Sequence, residues 1–129
     1  MRAIRFRGQD EDGKWLYGDL RQRMGYWPAI IESYCTDEGK VGYREIAVKE
    51  GTVGQFTSLR DKNGRDIYEG DILKVGSEKT KIEVRFVRGV FAFLWDGNLD
   101  DEFPCNAPTQ EWAEIIGNIH DNPRLIKRK

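Results

Sequence analysis

The chain has 129 residues, a formal charge of -1 and two cysteines, Cys35 and Cys105, that belong to no CxxC pair. It is long enough for one core, carries no global field that would draw it to nucleic acid or an anionic membrane, and offers neither a zinc ligand set nor a redox dithiol. With 39% hydrophobic residues against 33% charged, core material must come from the aromatics and from Ile, Val and Leu, the residue types that suit a pleated sheet. No apolar run approaches the roughly 20 residues that span a bilayer, and no signal peptide is evident, so the expectation is a cytoplasmic protein whose cysteines stay thiols and which has no membrane partner.

The chain opens on a predicted hairpin. Ile4 to Arg7 alternates apolar and basic residues, Gln9 to Gly13 makes a polar turn, and Trp15, Tyr17 and Leu20 lead a second strand. Tyr26 to Ile31 is apolar, but Pro28 cannot donate to a central ladder, which predicts an edge strand or one that begins near Ala29. Val41, Tyr43, Ile46 and Val48 form a further strand in which the change of parity between Tyr43 and Ile46 predicts a bulge or break. Phe56 to Leu59 and Ile67 to Val75 flank Asn63-Gly64, both tolerant of the positive φ of a tight hairpin turn. Gly70, before Asp71, predicts a sharp bend of the kind found in small barrels. Lys81 to Val87 alternates, with Ile82, Val84 and Phe86 inward and Lys81, Glu83 and Arg85 on a wet face. Val90 to Trp95 is a continuous apolar run, Pro104 and Pro108 mark a loop, Thr109 to Trp112 caps one helical turn, and Glu114 to Ile119 returns to strand before Asn122-Pro123.

The chemistry-bearing groups have ordinary explanations. Asp61, Asp66, Glu69 and Asp71 on one hairpin are the material of a metal-dependent hydrolase, yet Gly64 stands fourth from Asp61 where a calcium loop needs its glycine sixth. Turn formation and satisfaction of local backbone donors explain them better. His120, the only histidine, has no nucleophile with an identifiable place beside it, and Ser33, Ser58 and Ser77 lack an elbow context. A stacking platform for single strands could draw on Trp15, Trp27, Trp95 and Trp112 with Arg5, Arg7, Arg21 and Arg23. Most of these rings are needed in a core or at a subunit interface.

Three blocks resemble the YopX family of phage and prophage proteins. They are Phe6-Arg7 with Lys14 to Leu20; Thr52 to Thr57 running through Asp61-Lys62-Asn63-Gly64 to Ile67-Tyr68-Glu69-Gly70-Asp71-Ile72; and Ile115 to His120 with Asn122 to Leu125. Two departures stand out: Ser58 occupies a position usually held by glycine, and Gly8-Gln9 replaces the usual Ala-Trp. The resemblance implies a largely β fold with barrel-like parts. It carries no activity and no catalytic residue to this chain.

These readings converge on a single all-β domain, residues 1–129, with two small barrel-like (SH3-like) halves of about 1–50 and 51–129 joined near Lys49 to Gly54, and at most one short helix. Asn63, Gly64, Tyr68, Gly70, Asp71, Gly117 and Asn118 are expected to serve structure. No catalytic residue, cofactor or metal ligand is assigned. The favoured function is a non-catalytic accessory module that self-assembles into a homo-oligomer or contacts a phage or host protein. The alternatives are a nucleic-acid-binding barrel contacting phosphates through Arg5, Arg7, Arg124, Lys127, Arg128 and Lys129, and the metal-dependent hydrolase above.

Overall fold

A computed structural model of the chain describes residues 3–75, 81–99, 102–104 and 108–126. Cys105, Ser77, Lys127, Arg128 and Lys129 lie outside them. The chain divides into two compact units, Met1–Phe56 and Thr57–Lys129.

The first unit is a meander of antiparallel strands: β1 (Phe6–Gln9), β2 (Trp15–Arg21), β3 (Ala29–Cys35) and β4 (Val41–Ala47), with the opening residues of β5 (Gly54–Arg60) pairing back onto β1. The spatial order is β4-β3-β2-β1-β5. Two of the turns, β1–β2 and β3–β4, are fastened by a short polar side chain. Asp10 Oδ1 accepts from the backbone N–H of Asp12 and of Lys14, both at 2.9 Å, and Thr36 Oγ1 accepts from Lys40 N–H at 3.1 Å, local bonds that favour turns over continued ladder. Leu16, Ile30 and Val48 are buried at the centre, with Phe6, Leu20, Ile46 and Val53 against them. Each such side chain contributes roughly 1.5–3 kcal/mol through burial. Gly8, one of the family departures, leaves room for Val48: a Cβ there would lie 2.8 Å from Val48 Cγ2.

The second unit takes the remainder of β5, from Thr57, beside β6 (Asp66–Tyr68), followed by β7 (Asp71–Val75), β8 (Lys81–Val87), β9 (Val90–Trp95), β10 (Glu102–Pro104), α1 (Thr109–Trp112), β11 (Ala113–Asn118) and a 3-10 turn at Pro123–Leu125. Five strands form an antiparallel sheet in the order β10-β9-β8-β7-β11. Its core gathers Ile67, Leu73, Ile82, Val84, Phe93 and Ala113, with the Trp112 ring edge-on to Phe93 at 5.4 Å between centroids, a favourable aromatic geometry.

The mainly β class and the single short helix are as expected, but among the described residues neither sheet closes into a barrel. Closure needs the last strand to pair with the first, and one sheet instead ends on β4 and β6 and the other on β10 and β11. Several local readings change as well. Of the two readings offered for Pro28, the strand that begins at Ala29 holds and the edge strand does not: β3 lies between β2 and β4, because Pro28 precedes the ladder and removes no bond from it. β4 is regular from Ala29↔Ala47 to Cys35↔Val41; the parity change arises because Val41 and Tyr43 face outward while Ile46 faces the core. On β8, Ile82 and Val84 point into the core as expected, but Glu83 on the opposite face is also fully buried and Phe86 is 48% exposed, so the face expected to be wet is covered at Glu83. Thr109 does not cap α1: its hydroxyl donates to the Arg60 carbonyl at 2.8 Å.

Candidate functional site

The four acidic residues of the central hairpin do not converge on a site. Asp61, 1% exposed, organises the turn. Its Oδ1 accepts from the N–H of Asn63 and of Arg65, each at 2.9 Å, and its Oδ2 accepts from Ile115 N–H on β11 at 3.1 Å. Burial pushes its pKa up, but the three backbone donors and the Arg65 charge outweigh that and hold the carboxyl below its ordinary value. Asp66 pairs with Arg60 at 2.9 Å, and buried Asp71 accepts from Tyr68 N–H at 2.8 Å. Among the described residues no group of three or more His, Cys, Asp or Glu side chains could hold a metal ion.

The residues of the middle and last sequence blocks interlock as backbone geometry. Gly64 adopts φ +80° and Gly70 φ +96°, in the left-handed region that side chains avoid. Asn63 stays outside that region and contributes its backbone N–H to Asp61, so the tight two-residue turn is replaced by a wider loop built around the carboxylate. Gly70 donates to Val84 O and its own carbonyl accepts from Ile119 N–H. Asn118 Oδ1 accepts from the N–H of His120 and of Asp121, both at 2.9 Å. Asn122 Oδ1 lies 2.5 Å from where a Cβ on Gly117 would stand. Tyr68 is 5% exposed. The backbone N–H of His120 is bound within this turn.

The expected nucleic-acid contacts are scattered in character. Arg7 is buried, with its guanidinium 4.5 Å from the Trp15 ring centroid, and Arg5 lies 4.6 Å from that of Phe56; these are cation–π pairs inside the first unit. Arg124 is exposed on the 3-10 turn of the second unit. Of the tryptophans, Trp95 and Trp112 pack against the second core, Trp15 carries Arg7, and only Trp27 is among the exposed large side chains.

Exposed apolar surface concentrates on the outer part of the first unit. Met24 is 98% exposed, Tyr26 65% and Trp27 54% on the β2–β3 loop, and Val41 and Tyr43 are 65% and 71% exposed on β4. The loop borders a cleft of 460 Å³ lined by Arg23, Met24, Tyr26, Pro28, Glu50 and Val53 among others. Arg23 lies 5.3 Å from the Tyr26 ring centroid. In the sequence Tyr26 to Ile31 reads as one apolar strand segment; the strand begins only at Ala29, which leaves Tyr26 and Trp27 on the loop as exposed apolar surface.

Residues 5–127 match the model of the YopX protein family. The chain belongs to the YopX family. A crystal structure of protein EF1440 from Enterococcus faecalis is similar to it, with a TM-score of 0.61 and 24% identity, covering 98% of this chain and 100% of that one, a likeness of fold alone. No curated protein matches the chain. In this member of the YopX family, Ser58 adopts φ +72°, which gives the sequence departure at that position a conformational meaning. No helix among the described residues is long and apolar enough to cross a membrane.

Proposed function

We propose that this YopX-family chain is a non-catalytic accessory protein, encoded in phage or prophage DNA and working in the bacterial cytoplasm, that acts by self-assembly or by contact with a phage or host protein. The observation that carries the reading is the apolar surface on one unit, where Met24, Tyr26, Trp27, Val41 and Tyr43 are all more than half exposed. Scattered single exposures are normal, whereas aromatic and Met side chains grouped on one loop and one strand are what interfaces are made from. The motif carboxylates Asp61, Asp66 and Asp71, engaged with backbone donors and Arg60, fit a scaffold better than a reaction centre.

The test combines in-line light scattering of the purified protein at micromolar concentration with affinity capture from an infected or induced host, with and without nuclease. A mass above that of the monomer, or a protein partner that survives nuclease and is lost in the Met24→Ser/Trp27→Ser variant, supports the reading. A strictly monomeric protein whose recovered material disappears with nuclease would overturn it in favour of nucleic-acid binding.

A further inference from the structure

We infer that β4 is a pairing edge, and that a second copy of this chain adds its own β4 antiparallel to it across a two-fold axis at Tyr43. This inference rests on the self-assembly half of the proposed function and names its site. It starts from the way the sheets end. An end strand presents unpaired N–H and C=O groups to any passing strand, and proteins blunt such edges by shortening them, bulging them, or placing proline or free charge along them. Among the described residues, three of the four sheet ends follow that rule. β6 has three residues; β10 has three and ends at Pro104; β11 shifts register between Ile115 and Gly117. β4 has seven residues, no proline and an unbroken register against β3.

The charges that would protect β4 are turned back onto their own sheet. Arg44 lies 4.6 Å from the ring centroid of Tyr34, and Glu45 pairs with Arg21. Tyr34 in turn covers Gly42, where a Cβ would meet its ring at 2.4 Å. What remains along the outer face is Val41 and Tyr43, and the strand is neutral, with one Arg and one Glu.

Self-complementarity selects the second copy as occupant and fixes the register. In a two-fold antiparallel pair, opposite residues share a face, so the axis must pass through a residue. An axis at Arg44 sets Arg against Arg, one at Glu45 sets Glu against Glu, and one at Gly42 sets Lys40 against Arg44; like charges directly opposite are destabilising. The axis at Tyr43 avoids all three and pairs Val41 through Glu45 along the strand, whereas axes at Val41, Ile46 or Ala47 leave most of the strand without an opposite residue. It stacks Tyr43 on Tyr43, sets Val41 opposite Glu45, and places Arg44 opposite Gly42, whose position is covered by the Tyr34 ring rather than by a charge.

The test uses the full chain. Light scattering at micromolar concentration is expected to give a dimer, and Tyr43→Lys, which sets two ammonium groups face to face at an exposed position, is expected to return it to monomer with an unchanged circular dichroism spectrum. In a Cys35→Ser/Cys105→Ser background, Tyr43→Cys is expected to form a disulfide-linked dimer under mild oxidation, since paired Cα atoms about 4.5–5.5 Å apart fall within disulfide range. Glu45→Cys, opposite Val41, is expected not to. A monomeric wild type overturns the inference, as does a dimer that survives Tyr43→Lys and fails to cross-link at 43. The second outcome leaves self-assembly standing through another surface, and a monomer that still captures a protein through the Met24–Trp27 loop leaves the module reading standing.

Discussion

Replacing Asp61 by alanine is expected to destabilise the second unit by about 3 kcal/mol. The carboxylate holds three backbone N–H groups, those of Asn63, Arg65 and Ile115. Hydrogen bonds to a charged acceptor contribute roughly 1.5–3 kcal/mol each, and a stranded buried donor costs about 1–3 kcal/mol. The exposed Asn63 and Arg65 can recruit water for their N–H groups, which takes the sum well below three full penalties, whereas Ile115 lies within the β7–β11 ladder and cannot do so as readily. The pH dependence has a definite sign. The folded pKa is depressed, so the stabilisation is fully present above the unfolded carboxyl value and is lost as pH falls through the lower folded one. Asp61→Asn keeps one acceptor oxygen but points an amide at a donor, so it should cost less than alanine and should also flatten the acid limb. Urea titration followed by tryptophan fluorescence, at neutral pH and stepwise below pH 4, measures both. A loss under about 1 kcal/mol for Asp61→Ala at neutral pH, or an acid limb unchanged in Asp61→Asn, would refute the assignment of Asp61 as the organiser of this loop.

The other predictions concern backbone and buried charge. Ser58→Gly should raise stability by roughly 0.5–1 kcal/mol, because relief of a left-handed φ on a residue with a Cβ, worth about 1–2 kcal/mol, exceeds the added chain entropy of glycine; a lowered unfolding midpoint would count against it. Gly18→Ala should lower the thermal midpoint sharply, with a cost of about 2–3 kcal/mol, since its Cβ would stand 2.1 Å from the Ile31 carbonyl oxygen and force β2 from β3. Arg85→Ala should cost about 2 kcal/mol, less than a fully buried pair would, because Glu83 is buried while the Arg85 side chain is 27% exposed. Adding Glu83→Gln to that variant should recover part of the loss in a double-mutant cycle.

Local order was legible in the sequence wherever it depends on local chemistry. The strand positions follow from alternating apolar residues, and the breaks from Gly13, Gly39, Gly64 and Gly70, which need no partner distant in the chain to act. What escaped depends on distance. Alternation along β8 separates two faces, but that Glu83 is buried depends on what covers its side of the sheet. Asp61 and Asn63 look equally like turn residues, and only the arrival of Ile115, 54 positions later, makes Asp61 the one that is tied down. Barrel closure is likewise a matter of which strands end a sheet, and the bend at Gly70 is as compatible with an open sheet as with a closed one. The apolar loop at Met24 to Trp27 escaped because its significance lies in its exposure, which composition does not report.

The place of β11 has a consequence for synthesis. β7 is flanked by β8 and β11, and the second of these neighbours is encoded some forty residues further along. While the ribosome is still translating that stretch, β7 has one naked flank and the Asp61 carboxylate lacks its last donor, so the second unit cannot lock until β11 has emerged. Nascent chains stalled before Ala113 should therefore be the species most in need of chaperone shelter.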